Sequence, residues 1–386
     1  MPRRPAPRRS MRPARASGDR PRGGRLPFLT AGIASIVAIA LGLWWLVPPG
    51  PETLRARAER AEVAKDWPKA LDAWRAVNKT PATRARSWLG EARAALALDL
   101  AGQAESALVR ATEADPADPE PWRLLLDILR TEGRTTEAQR VGWSAYAAVT
   151  PESRRSILRE LTLALLLPDD ILDDLPDDRS RARLERWAAA DPSDANASVP
   201  YHRRIAAAPR PGDPGLDAWI AALMSILDRD PAQVPAREAL VVALDERGEP
   251  DRGRAVLEAW PSSARDARYD RLLGRWALDH DRDPARAVAA LERAAAELPQ
   301  DWKARARLAR AYHAANRPTD AAREAARFAM LRELLDPATL VPRLASDLAR
   351  PDDPRARDDL IDLCTRAGLD RLADAWRREG SAAPVR

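Results

Sequence analysis

The chain has 386 residues, 63 basic and 58 acidic, for a formal charge of +5 and a sequence pI near 9.7. One cysteine, Cys364, excludes a disulfide framework and any multi-cysteine zinc or iron–sulfur site. Only 2 Phe and 4 Tyr are present, while Ala, Leu, Arg and Glu dominate, so an all-α chain is expected.

Taken in chain order, residues 1–25 carry nine arginines and the single acid Asp19, a local charge of +8; residues 26–386 sum to −3. The tail is rich in Pro, Arg, Ala and Gly, too poor in apolar side chains to fold, and is read as a disordered basic cytoplasmic tail. From Leu26 to Pro51 there is no charge, and 28–47 gives 20 mostly apolar residues. That is the length a helix needs to cross a hydrocarbon core of about 30 Å, and Pro48-Pro49 would end it. A cleaved signal peptide would have a shorter apolar core and a small-x-small site. A transmembrane signal-anchor helix over 26–48 is therefore expected. The arginine flank would keep the N-terminus cytoplasmic and place the rest outside, which implies a single-pass inner-membrane protein with an extracytoplasmic C-terminal part.

Beyond residue 50 the chain repeats itself. With registers set 34 residues apart at 51, 85 and 119, the columns read Ala70/Ala104/Ala138, Leu54/Trp88/Trp122 and Ala58/Ala92/Leu126, closing near Pro81, Pro116 and Pro151. Apolar residues three and four apart make each helix amphipathic, and a small alanine lets paired helices approach closely. The strings KALDAWRAV, GQAESALVRATEADP and RTTEAQRVGWSAYAAVTP resemble the second helix and exit turn of the tetratricopeptide repeat family. The pattern weakens over 153–233 and returns in units 234–266, 267–301 and 302–335, the last with Leu308, Ala309, Tyr312, Ala321 and Phe328. Residues 336–380 read as capping helices. The resemblance implies a helical-hairpin solenoid, a right-handed superhelix, with repeats over 51–152 and 234–335. One continuous stack bent near 168–215 is expected, the alternative being two arrays joined by a hinge.

No GxSxG elbow, P-loop, dinucleotide-binding glycine fingerprint or HExxH occurs, so the expectation is a non-enzyme without cofactor, metal or small-molecule substrate. The acid pairs of PDDILDDLPDD fit a polar turn better than a hard-cation site, since no glycine stands where a tight calcium loop needs one. Cys364, on an apolar-periodic helix, is expected to be a small buried hydrophobe, and the tryptophans are expected to be core. The first helices of such repeats commonly line the concave surface. There Arg268, Arg271 and Arg275, then Lys303, Arg307 and Arg310, fall three and four apart on one helix side. They are the candidate partner-binding residues, suited to an acidic protein or peptide, although the row is also what solvated faces of an Arg-rich chain look like. The function implied is an interaction scaffold with no nucleic acid expected. Its rival is a regulatory or nucleic-acid-linked protein working through the basic tail.

Overall fold

Alanine columns and aspartate caps lay out the helices. The computed structural model describes residues 50–80, 85–167, 178–204 and 212–381. Residues 1–50 form one unit and 51–386 another. Of the first only Gly50 is described, so the basic tail and the segment 26–48 lie outside the described residues.

The second unit holds nineteen α-helices among the described residues. The first run is α1 (Pro51–Val63), α2 (Trp67–Asn78), α3 (Ala85–Ala97), α4 (Ala101–Ala114), α5 (Pro119–Glu132) and α6 (Thr135–Ala148). Then come α7 (Arg154–Leu166), α8 (Asp178–Ala190), α9 (Ala195–Arg204) and α10 (Leu216–Arg229). A second run comprises α11 (Val234–Glu246), α12 (Pro250–Glu258), α13 (Ala267–Asp279), α14 (Pro284–Glu297), α15 (Trp302–Ala314) and α16 (Pro318–Leu334). The chain closes with α17 (Pro337–Leu348), α18 (Pro354–Ala367) and α19 (Asp370–Ser381).

Seven of the helix pairs turn on a residue in the left-handed region. These are Lys65, Asp99 and Gly133 in the first run and Gly248, Arg282 and Asn316 in the second, with Gly368 between α18 and α19. Within both runs the turns stand 34 residues apart. Ala70, Ala104 and Ala138 are wholly buried, as are Ala58 and Ala92. Gly90 is the tightest contact of the first run: a Cβ there would run into the indole of Trp74. Prolines end pairs, as Pro116 does after α4, and also open helices at the first position, as in α5, α12, α14, α16, α17 and α18. A missing N–H costs nothing there. Aspartates at 66, 118, 266, 283, 301 and 353 accept the free backbone N–H groups of the first turn.

The two runs do not continue into an open stack. Helices α8 and α9 lie back along the first run, with Arg183 paired to Asp127 of α5, Arg186 Nε 3.2 Å from Asp99, and Asp194 against Gly102. The last helix, α19, packs on α7. Trp143, Leu158, Leu161 and Leu165 of the first part share one apolar cluster with Leu331, Leu360, Leu363 and Trp376. Polar ties run along the same seam. Trp376 Nε1 donates to Thr162 Oγ1 at 3.0 Å, Tyr146 to Glu379 at 2.8 Å, Gln300 Nε2 to the Leu165 carbonyl at 3.1 Å, and Arg155 to the Glu379 carbonyl at 2.9 Å.

One expectation is corrected. Among the described residues no helix is long and apolar enough to cross a membrane. The fold is therefore given as an all-helical repeat stack without the single transmembrane helix, and the inner-membrane, extracytoplasmic placement built on that helix is withdrawn. None of residues 26–48 is among those described.

Candidate functional site

The cation row is where the sequence places partner binding, and the structure shows what those cations touch. Arg268 opens α13, its side chain 10% exposed, with Nε 3.5 Å from Asp266 and Nη2 3.9 Å from Glu137. Arg271 reaches Glu238 of α11 and Asp301 ahead of α15, each at 3.2 Å. Arg275 pairs with Asp245 and lies 3.9 Å from Asp279. Arg310, exposed on α15, is 3.3 Å from Asp279. Lys303 holds its ammonium 5.3 Å over the Trp302 ring, and Arg307 is half-buried on the same helix. Four of the six thus meet carboxylates of a neighbouring pair of helices.

One of these contacts is to a buried acid. Glu238 is buried, and Arg203 of α9 also approaches it, at 3.4 Å. Burial by itself would raise its pKa; Arg203, Arg271 and Arg268 outweigh burial and bring it down to about 2. A second network centres on Arg134, bonded to Glu105, Glu132 and Glu137 at 2.7–2.8 Å. Here burial prevails: Glu132, with Glu105 and Asp194 adding like charge, is pushed up to about 8 despite Arg134. Arg134 is held above its ordinary value, its bonds to Glu137 and Glu105 outweighing burial.

Between these networks lies a cavity of about 670 Å³. Its wall comes from six places: Arg134–Trp143 at the start of α6, Asn196 on α9, Asp230–Pro235 leading into α11, Ser263–Asp266 leading into α13, Glu297 of α14 and Arg371 of α19. The lining is polar. Thr136 Oγ1 and Gln139 Oε1 are buried there with no hydrogen-bond partner among the described residues. The indole of Trp143 is covered by the Arg371 guanidinium 4.0 Å above it and meets Tyr146 edge-on at 5.9 Å.

Every carboxylate of the lining is engaged. Glu137 binds Arg134, Asp230 accepts from the Ala232 N–H, and Asp266 accepts from the N–H groups of Arg268 and Tyr269. Glu297 accepts from the Ala267 N–H, and burial raises its pKa. By contrast Arg140, Arg265 and Arg371 are exposed and have no carboxylate within 4.0 Å among the described residues. The sequence reading missed all three. They stand on a second helix, a turn and a terminal helix more than a hundred residues apart, and no linear motif joins them.

Other expectations fall out directly. Cys364 is buried and its thiol is pushed up to about 12 by desolvation. Trp74, Trp260, Trp276 and Trp376 are core, and His313 is exposed. Most of PDDILDDLPDD lies outside the described residues. Among the described residues no cluster of three metal-ligating side chains occurs.

Comparison with known proteins locates the repeat. Residues 280–329, from the turn before α14 into α16, match the tetratricopeptide repeat family. No protein of curated function matches the sequence. Similar solved structures include a human IFIT1 dimer with m7Gppp-AAAA, at 15% identity over 78% of this chain and 69% of that one, TM-score 0.35. Another is the APC/C hetero-tetramer Cut9–Hcn1, at 12% identity over 88% and 80%, TM-score 0.32. At these scores neither likeness bears on a ligand. The chain carries a tetratricopeptide repeat within an all-helical stack, an architecture that serves protein–protein contact.

Proposed function

We propose that the chain is a non-catalytic interaction scaffold that holds a segment of a protein partner in the cavity between its two helical runs. One observation carries this reading: a roughly 670 Å³ polar cavity whose wall includes buried, partnerless Thr136 Oγ1 and Gln139 Oε1. The side-chain amides of Gln139, Gln233 and Asn196 both donate and accept, which suits peptide groups. The volume falls within the roughly 300–1,000 Å³ of ligand-sized sites. The row Arg268, Arg271, Arg275 and Arg310 contributes by fixing one helix pair against the next, so the wall is preformed.

The test is a photo-crosslinking residue placed at 139, at 263, and on the outer face at exposed Met224. The reading requires the same partner to be trapped from 139 and 263 and not from 224. Trapping from 224 alone would place the partner elsewhere.

A further inference from the structure

Resting on that reading, we infer that the cavity selects an acidic peptide segment, its carboxylates held by Arg140, Arg265 and Arg371. The imbalance within the wall points to it. All four lining carboxylates already accept hydrogen bonds from this chain, whereas Arg265 and Arg371 have no carboxylate within 4.0 Å among the described residues and Arg140 meets Glu137 and Glu297 only beyond that distance. The fourth, Arg134, is bound on three sides by glutamates. Two of these cations are also positioned rather than dangling. Arg371 rests on the Trp143 ring at 4.0 Å and Arg265 on the Tyr269 ring at 4.8 Å. Stacking on a ring fixes the plane of a guanidinium while leaving its N–H fork open to a carboxylate.

An extended chain alternates its side chains at about 3.3 Å per residue. Successive acids can therefore reach cations on opposite walls while the backbone lies against Gln139 and Gln233. A nucleic acid fits less well. Its one indole, Trp143, is already covered by Arg371, so no aromatic face is open for a base to stack on. The sequence-predicted cations Arg268, Arg271 and Arg275 cannot take this part, since each faces an acid of its own chain.

The experiment uses the full chain and a fluorescein-labelled dodecapeptide of alternating Glu and Gly, read by fluorescence anisotropy. Matching Gln–Gly and Lys–Gly peptides and an oligoadenylate RNA serve as competitors. The Glu peptide should bind about tenfold or more tightly than the Gln peptide, with affinity falling as salt rises. The Arg140→Gln/Arg265→Gln/Arg371→Gln variant, exposed at all three positions and checked by its melting curve, should lose about that factor. Ser263→Trp, which fills the cavity without changing charge, should abolish binding. Equal binding of Glu and Gln peptides, no loss in the triple variant, or preference for RNA would overturn the acidic-peptide assignment. If crosslinks from 139 and 263 persisted alongside any of these, the cavity would remain the partner site with different chemistry. Unchanged Glu-peptide binding by Ser263→Trp would overturn both readings.

Discussion

Arg271 shows how a single side chain changes meaning once its surroundings are known. On the sequence it is one cation in an exposed row; in the fold it bridges Glu238 and Asp301, the acids 33 residues before it and 30 after it. Removing one partner of a buried ion pair costs roughly 3–5 kcal/mol, because the other charge stays buried. Arg271→Ala should therefore lower stability by about 3 kcal/mol in denaturant titration. Arg310→Ala, exposed on the same face, should stay within about 0.5 kcal/mol of the wild type. At the turns, Lys65 and Arg282 hold positive φ values of 56° and 51° with a side chain attached. A left-handed residue other than glycine is strained by about 1–2 kcal/mol. Lys65→Gly and Arg282→Gly should each raise the melting temperature, by an amount equivalent to about 1 kcal/mol after glycine's greater unfolded-state freedom is allowed for; a lower value would contradict the strain argument.

At the scale of elements, the helix pairs were legible and their mutual contacts were not. The Ala70/Ala104/Ala138 column gave the pairing because a wholly buried small residue must recur wherever two helices touch. The capping helices read over 336–380 include a pair, α18 and α19, joined at Gly368, which sits in the left-handed region. The candidate site was harder, because what a cation does depends on acids one pair away. The signal was present as an Arg-to-acid spacing of about one repeat: 30 residues for Arg275 and Asp245, 31 for Arg310 and Asp279. Glu132, at the end of α5, gives a pH prediction. Its folded pKa is raised to about 8, so between the unfolded value near 4.5 and about 8 the folded state holds a proton the unfolded chain has lost. Stability should fall as pH rises through that window and level off above it. Glu132→Gln keeps a neutral side chain there and should flatten the profile; an unaltered slope would assign it to another group.

The second unit departs from an open stack because α19 returns to α7. In an open stack each unit touches only its neighbours, and unfolding can proceed piecemeal. Here the Trp376–Thr162 and Tyr146–Glu379 bonds join residues 214 and 233 apart. Thermal unfolding of the second unit should thus follow one transition with Trp fluorescence and circular dichroism coinciding. Thr162→Val, which strands a buried indole N–H, should lower stability by about 1–3 kcal/mol. Ending the chain before Asp370 should split the two probes, since α7 would lose its cover. None of this closure was readable from the repeats, whose columns describe neighbours and are blind to a partner two hundred residues away.

The seam between α7 and α19 also bears on how such a protein can change over time. A chain of identical units with free ends can gain or lose one and remain well packed. This one cannot, because a further pair between Gly248 and Asn316 would carry Trp376 away from Thr162 and leave the Leu158–Leu363 cluster without its other half. The repeat number is set by the need to meet itself, so insertions should survive in the turns and fail as whole units.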